Sequence, residues 1–457
     1  MLNRLAHRPA ARALAGTLLG NVPGFVLPFL ITARVEAGRL TDAYFYAFAI
    51  ALFASSIVSL ALETNVLPVA THHLGLGASR FRSFARGLLV RSVAVTTAGY
   101  LVVAAVGAAT VLVRDNWTEE EKVLCVEIIG IFGVYLAAIS ASAVLDGCLY
   151  AFGSFFATTV TVGMRSLLPL PALFLAPTAS TALLLTAAFL AGGECARVVL
   201  LSRWLRRAVG GMAAPPTASP ADAAAPPSVW STALPYGAAM VLFGSNQLID
   251  RAVAGSLKPG SVTVLDLAEK VFYAPVTILM SSVLLVSGAR WAALANDRPA
   301  ALSVDFRHTV RRAAVLSGAV AAGVVAAALV ALAAVDTTIA GVDTRRFCAV
   351  LAILMVGFPA AVVTNAGVRL LTVLRRTRIF PALAIVSFTA NVAGTIAGAR
   401  LLGIAGIAAS GTIWRTINLI GFLAVSAAAL RRLSPAPTPL FTTREHAAVQ
   451  PSITLES

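Results

Sequence analysis

Apolar stretches long enough to cross a bilayer recur from one end of the chain to the other, and this limits the fold more than any motif does. The run "AAVLSGAVAAGVVAAALVALAAV", from Ala313 to Val335, carries no charge at all. Crossing a hydrocarbon core of roughly 30 Å takes about 20 helical residues. Lipid offers no hydrogen bonds to an open backbone, so such runs become helices. Residues are 58% hydrophobic and 12% charged, about half the charge density of a soluble domain at roughly 25%. The chain reads as an all-α integral membrane protein.

Apolar runs between polar breaks predict twelve spans, at 13–34, 43–66, 87–113, 123–146, 153–176, 180–202, 230–253, 263–288, 313–335, 346–370, 379–399 and 403–430. Arginine clusters mark alternate ends, among them Arg80, Arg82 and Arg86; Arg203, Arg206 and Arg207; and Arg431 and Arg432. The excess of positive charge on cytoplasmic loops then puts both termini in the cytoplasm. One long Ala/Pro-rich linker divides the spans six and six. The expected organisation is therefore an N-terminal lobe over 1–209, a linker over 210–229, a C-terminal lobe over 230–433 and a disordered tail over 434–457. Six crossings return the second lobe in the orientation of the first, so an internal repeat must be parallel. "LTDAYFYAFAI" in the second span and "VLDLAEKVFYAP" in the eighth are its trace.

The formal charge of +15 does not indicate nucleic acid, because it is spread over short loops. No lysine follows a Gly-rich turn and precedes Ser or Thr, so a P-loop ATPase is excluded. HExxH and GxSxG are missing and the loops on the far side are short, which argues against an enzyme. Cys125, Cys148, Cys195 and Cys348 lack metal-ligand spacing. His72 and His73 sit in a loop on the expected cytoplasmic side and are expected to hold no metal. Asn116-Trp117-Thr118 matches a glycosylation sequon, a pattern too short to weigh. Transport, or the holding of a partner in the membrane, is what remains.

The exception to the apolar pattern is Asp266, Glu269, Lys270 and Tyr273, spaced i, i+3, i+4, i+7 on one face of the eighth span. An ionised group at mid-membrane costs about 2.5–3.5 kcal/mol on insertion scales. Two readings stand. In one, Lys270 snorkels to the interface and pairs with a neighbouring carboxylate. In the other, the face lines a wet cavity between the lobes, with Asp42 at the matching place of the second span.

"TDAYFYAFAI" with "NVLPVA", "GSVTVLDLAEKVFYAPV", "RRTRIFPALAIVSFTANVAG" and "GIAGIAASGTI" together resemble the MurJ/MviN-like lipid II flippase family, within the multidrug/oligosaccharidyl-lipid/polysaccharide (MOP) superfamily. The likeness runs in patches from about Gly16 to Ala429. It differs at three places, one being the second helix, where the family's basic position falls in the uncharged "YAFAIALFASS". The family's first helix carries cavity arginines where this chain has "LGNVPGFVLPFLI", with Asn21 its only strongly polar side chain. The family usually has fourteen helices rather than twelve.

The resemblance implies an alternating-access flippase in a bacterial inner (plasma) membrane, serving peptidoglycan or other cell-wall polysaccharide synthesis. Its cargo would be a polyprenyl-diphosphate-linked saccharide such as lipid II, its partners membrane lipid and cell-envelope synthesis proteins. No cofactor is implied beyond coupling to Na+, H+ or the membrane potential. In that scheme Lys270 and Arg251 meet the diphosphate, while Asp42, Asp266 and Glu269 gate or couple. Asn21, Asn246 and Gln247 contact sugar hydroxyls, and Asp250 and Tyr273 complete the cavity. Glu63 is a candidate inner gate. Arg165 and Arg369 are expected to be structural, and Glu194 and Arg197 to neutralise one another. Two alternatives remain open: a drug or metabolite exporter on the same fold, and a transport-inactive scaffold that recruits cell-wall synthesis partners.

Overall fold

The computed structural model describes residues 2–211, 229–279, 299–334, 342–374 and 376–433, with the short pieces 287–288, 290–291, 294–295 and 338–339. Most of the Ala/Pro linker and the tail beyond 433 lie outside the described residues, as does the end of the expected eighth span. Four long helices open the chain: α1 (Leu2–Val35), α2 (Arg39–Gly75), α3 (Ala78–Leu112) and α4 (Glu119–Tyr150). Three short ones follow, α5 (Phe155–Val160), α6 (Gly163–Leu167) and α7 (Pro169–Leu175), then α8 (Ala179–Gly210). After the linker come α9 (Val229–Ala254), α10 (Ser261–Leu279) and α11 (Pro299–Ala334). A two-residue hairpin, β1 (Thr338–Ile339) with antiparallel β2 (Val342–Asp343), leads into α12 (Thr344–Val356), α13 (Phe358–Val373), α14 (Phe380–Leu402) and α15 (Ile404–Leu433).

By length and apolarity, eight described helical stretches are suited to cross a membrane, or nine if the bent pair α12–α13 is one span. The chain is a multi-pass membrane protein. α10 is not among the eight, because Asp266, Glu269 and Lys270 fall within its 19 residues.

Local chemistry explains where the expected spans depart from straight helices. The span at 153–176 is three pieces, with Pro169 opening the last of them; proline lacks the N–H that would continue the ladder. The α12–α13 pair bends by 40° at Gly357, with Pro359 in the first turn after it. The acidic "TEEEK", expected in a loop, instead starts a helix. Thr118 and Glu121 form a reciprocal capping box, and Glu119 to Glu121 occupy the first turn of α4. Carboxylates there offset the positive end of the helix.

Each half packs mainly on itself: α2, α3, α4 and α8 against one another, α11 to α15 against one another, and α9 on α14. The halves meet where α2 lies along α9 and where α1 and α2 touch α10. One large apolar core runs through both, with Phe45, Phe132 and Tyr135 on the first side and Phe272, Met355 and Phe358 on the second.

Candidate functional site

The turns α1–α2, α3–α4, α7–α8 and α9–α10 gather at one end of the molecule, where the first half clasps the second. Arg39 donates to the carbonyls of Gly255 (3.1 Å) and Leu257 (2.8 Å). Arg114 donates to Ala252 O at 2.8 Å, Trp117 Nε1 to Gly255 O at 3.2 Å, and Asn116 Nδ2 to Gly255 O at 3.4 Å. Arg114 also stacks 4.8 Å above the rings of both Tyr46 and Trp117. These acceptors sit at the C-terminal end of α9, where carbonyls lack helical partners and the dipole is negative.

Asp42 does the reverse. Its two oxygens accept from Gly260 N, Thr263 N and Thr263 Oγ1, each at 2.9 Å, so it caps the start of α10 from the other half. Gly260 has φ +78, a left-handed conformation that suits glycine. Asp42 is fully buried and does not line the cavity below.

Asp266 and Glu269, expected to face a wet chamber, are buried inside the second half. Arg251 Nη2 lies 2.7 Å from both Asp266 Oδ1 and Glu269 Oε2. Arg251 is itself buried, so it neutralises these two carboxylates rather than meeting a ligand. The helix spacing predicted the shared face of Asp266 and Glu269; it did not reveal that α9 covers it. Arg415 of α15 approaches Glu269 at 3.9 Å and stacks on Phe272 at 4.5 Å. Gln247 donates to the Tyr273 hydroxyl at 2.8 Å.

Asp250 belongs to a separate buried group with Thr395 Oγ1 at 2.7 Å, Asn391 Nδ2 at 3.1 Å and Ser410 beyond. Asn246 is buried beside it, with no hydrogen-bond partner for its amide among the described residues. This oxygen-rich set with one carboxylate has the chemistry of a hard cation ligand. No cluster of three His, Cys, Asp or Glu suited to a metal occurs among the described residues.

A cavity of about 410 Å³ opens beneath the clasp, between α1, α2, α4, α6, α8 and α10. It extends along α1 from Ile31 to Leu18, away from the clasp. Among the expected residues Asn21, Lys270 and Tyr273 line it, while Phe25, Phe45 and Phe48 supply aromatic walls. Lys270 Nζ sits 5.3 Å from the centre of the Phe48 ring and has no carboxylate within 4 Å among the described residues. Glu63 lies on α2, but its side chain is outside the described residues.

A second cation in this wall, Arg165 of α6, was expected to be structural. Its side chain is 28% exposed, lines the cavity, and stands 3.8 Å from Glu194 Oε2. Gly193 makes that approach feasible, since a Cβ there would collide with the Arg165 backbone. Glu194 is not a simple pair with Arg197. Arg197 Nη1 meets Glu194 Oε1 at 2.9 Å and its Nη2 meets Asp146 Oδ2 at 2.5 Å. Ser142 Oγ donates to Glu194 Oε1 at 2.5 Å. A second, smaller cavity of about 320 Å³ borders this cluster and shares Asn21 and Arg165 with the first.

The sequence family described as Lipid II flippase MurJ matches residues 33–445. The chain belongs to the MurJ family. No curated protein matches it in sequence. Among solved structures, a lipid II flippase MurJ in an inward closed conformation superposes with a TM-score of 0.65 at 15% identity, covering 92% of this chain and 89% of that one. A MATE transporter in complex with MaL6 gives 0.65 at 14% identity, covering 93% and 96%. A MOP superfamily transporter from Pyrococcus furiosus gives 0.63 at 15%, covering 93% and 96%. At such identities these structures speak for the MOP fold alone.

α6 packs against α1, so Arg165 brings a guanidinium to a wall where the cavity-lining stretch of α1 offers only Asn21 as a polar side chain. No spacing rule links 21 to 165; the signal available was a charged residue in the middle of an apolar, proline-broken span.

Proposed function

We propose that this chain is a non-enzymatic, alternating-access flippase that moves a polyprenyl-diphosphate-linked saccharide across a bacterial inner membrane for cell-envelope synthesis. One observation carries the reading: two cations from opposite halves, Arg165 and Lys270, line a single cavity at the junction. Its volume falls within the roughly 300–1,000 Å³ of small-ligand sites. A diphosphate cannot enter hydrocarbon unaided, and two cations in a partly apolar chamber give it somewhere to bind while the prenyl chain stays in lipid. Asn21 and Tyr273 are placed to meet the first polar groups beyond the phosphates.

The two halves then act as lobes. On the expected topology the clasped end faces outward, so this state is closed on the outer side. Transport requires the clasp to release and the opposite end to close. Asp42 is therefore a gate residue through its cap on α10, and the Asp250 group is the candidate for cation coupling.

The test is labelled lipid-linked precursor flipped in proteoliposomes by wild type, Arg165→Ala and Lys270→Ala at matched reconstitution. Loss of at least tenfold in both variants is expected; unchanged rates would remove the cavity from the mechanism. The aromatic walls and the MATE-like fold also suit an apolar cation. Export of a fluorescent drug cation that survives Lys270→Ala would favour that second reading.

A further inference from the structure

Glu194 stands at the midpoint of α8 without exposure, and its partners Ser142 and Arg197 line a cavity the flippase reading leaves without a task. Its two oxygens differ. Oε1 receives Ser142 and Arg197, while Oε2 has no hydrogen-bond partner among the described residues and faces Arg165 at 3.8 Å. The groups around Glu194 and its partner Arg197 are Ser142, Asp146 and Tyr135 of α4, Thr158 of α5, Thr161 just after it, Arg165 of α6, Asn21 of α1 across the adjoining cavity, and Cys195 on α8 itself. Among the described residues, the ion pairs set Arg165 and Arg197 against Asp146 and Glu194.

We propose that Arg165 is shared between the anionic cargo and Glu194, and that a diphosphate entering the main cavity is accompanied by uptake of one proton at Glu194. This rests on the flippase reading. Arg165 is the member of the cluster that also lines the main cavity, so a bound phosphate draws it away from Oε2. Arg197 alone then faces two carboxylates, leaving one buried negative charge uncompensated, a costly state in a dry interior. A proton taken from solvent bonds to Oε2 and turns the carboxylate into a neutral acid. When cargo leaves and Arg165 returns, the proton departs. A metal cation fits less well, because two guanidiniums lie within 4 Å of Glu194 and repel it, whereas a proton lands on the oxygen itself.

The experiment is calorimetric titration of the full chain in detergent with farnesyl diphosphate, at constant sodium, in buffers of differing ionisation enthalpy. Wild type is expected to take up about one proton more per ligand than Glu194→Gln, with the ligand's own protonation common to both. The variant, whose Arg165 has no carboxylate to leave, binds about tenfold more tightly at pH 8, within the usual range of coupling between sites. Equal proton numbers in the two proteins overturn the proposal and leave the cargo reading intact. No binding by wild type overturns both. Should Glu194→Gln not fold, infrared spectra serve: Arg165→Ala without ligand should already show a carboxylic-acid C=O band that wild type gains only with ligand. Absence of the band in Arg165→Ala also overturns it.

Discussion

Two buried charge clusters, one in each half, share an arrangement of ion pairs among the described residues and differ in the exposure of the outer arginine. In the first, Arg197 sits between Asp146 and Glu194, with Arg165 at 3.8 Å from the glutamate. In the second, Arg251 sits between Asp266 and Glu269, with Arg415 at 3.9 Å from the glutamate. The outer arginines separate the two cases. Arg415 is 3% exposed and held against Phe272 and Trp414, with the Tyr273 hydroxyl at 3.3 Å. Arg165 is 28% exposed and borders two cavities. The same pairing makes a clamp where aromatic rings enclose the outer arginine, and leaves an accessible cation where a cavity adjoins it.

The largest effect should come from breaking the clamp. Arg251→Ala strands two buried carboxylates and should destabilise the protein by about 3–5 kcal/mol, measured by thermal unfolding in detergent. Arg197→Ala should cost less, because Arg165 can turn toward the vacated carboxylate. Equal losses in the two variants would erase the distinction between the clusters.

Activity should show the opposite order. Arg415→Ala should lower stability more than the flipping rate per folded molecule, while Arg165→Ala should keep its melting temperature within a few degrees and lose transport. Rates per folded molecule, scored beside melting curves, decide this. A rate in Arg165→Ala within twofold of wild type would return that residue to a structural role.

The clasp gives smaller effects. Asp42→Ala removes a helix cap, about 1–2 kcal/mol, from the state closed at that end. Spectroscopic distances between labels on the α1–α2 and α9–α10 turns should then show a larger open fraction. Trp117→Ala removes one hydrogen bond and a cation–π partner, worth about 0.5–2 kcal/mol, and should shift the same distribution less. If Trp117→Ala opens the clasp more than Asp42→Ala, the cap is not its main fastening.

Much of this was legible in the amino-acid order. The apolar runs announced a helical membrane protein, and the motifs of α2, α10 and α14 pointed to the MurJ family. The i, i+3, i+4, i+7 spacing put Asp266, Glu269 and Lys270 on α10 and predicted the shared side of Asp266 and Glu269. Helical periodicity is local, and residues within two turns of each other reveal it.

What lay across the fold was not legible. Lys270 reaches the cavity while Asp266 and Glu269 turn to Arg251, although all three fall within five positions. Asp42 stood out as a polar group at the start of the second span, yet it caps α10 of the other half through Gly260 N, Thr263 N and the Thr263 hydroxyl rather than lining the cavity, which no local pattern displays. Arg165 became a cavity residue only because a broken span packs on α1 and Gly193 lets α8 come close. Composition and period decide which segments enter the membrane and which way each helix is polar, because those depend on neighbours along the chain. Which charge is neutralised and which stays available is decided by contacts between distant helices, since in a dry interior a charge's energy depends on the few atoms that surround it.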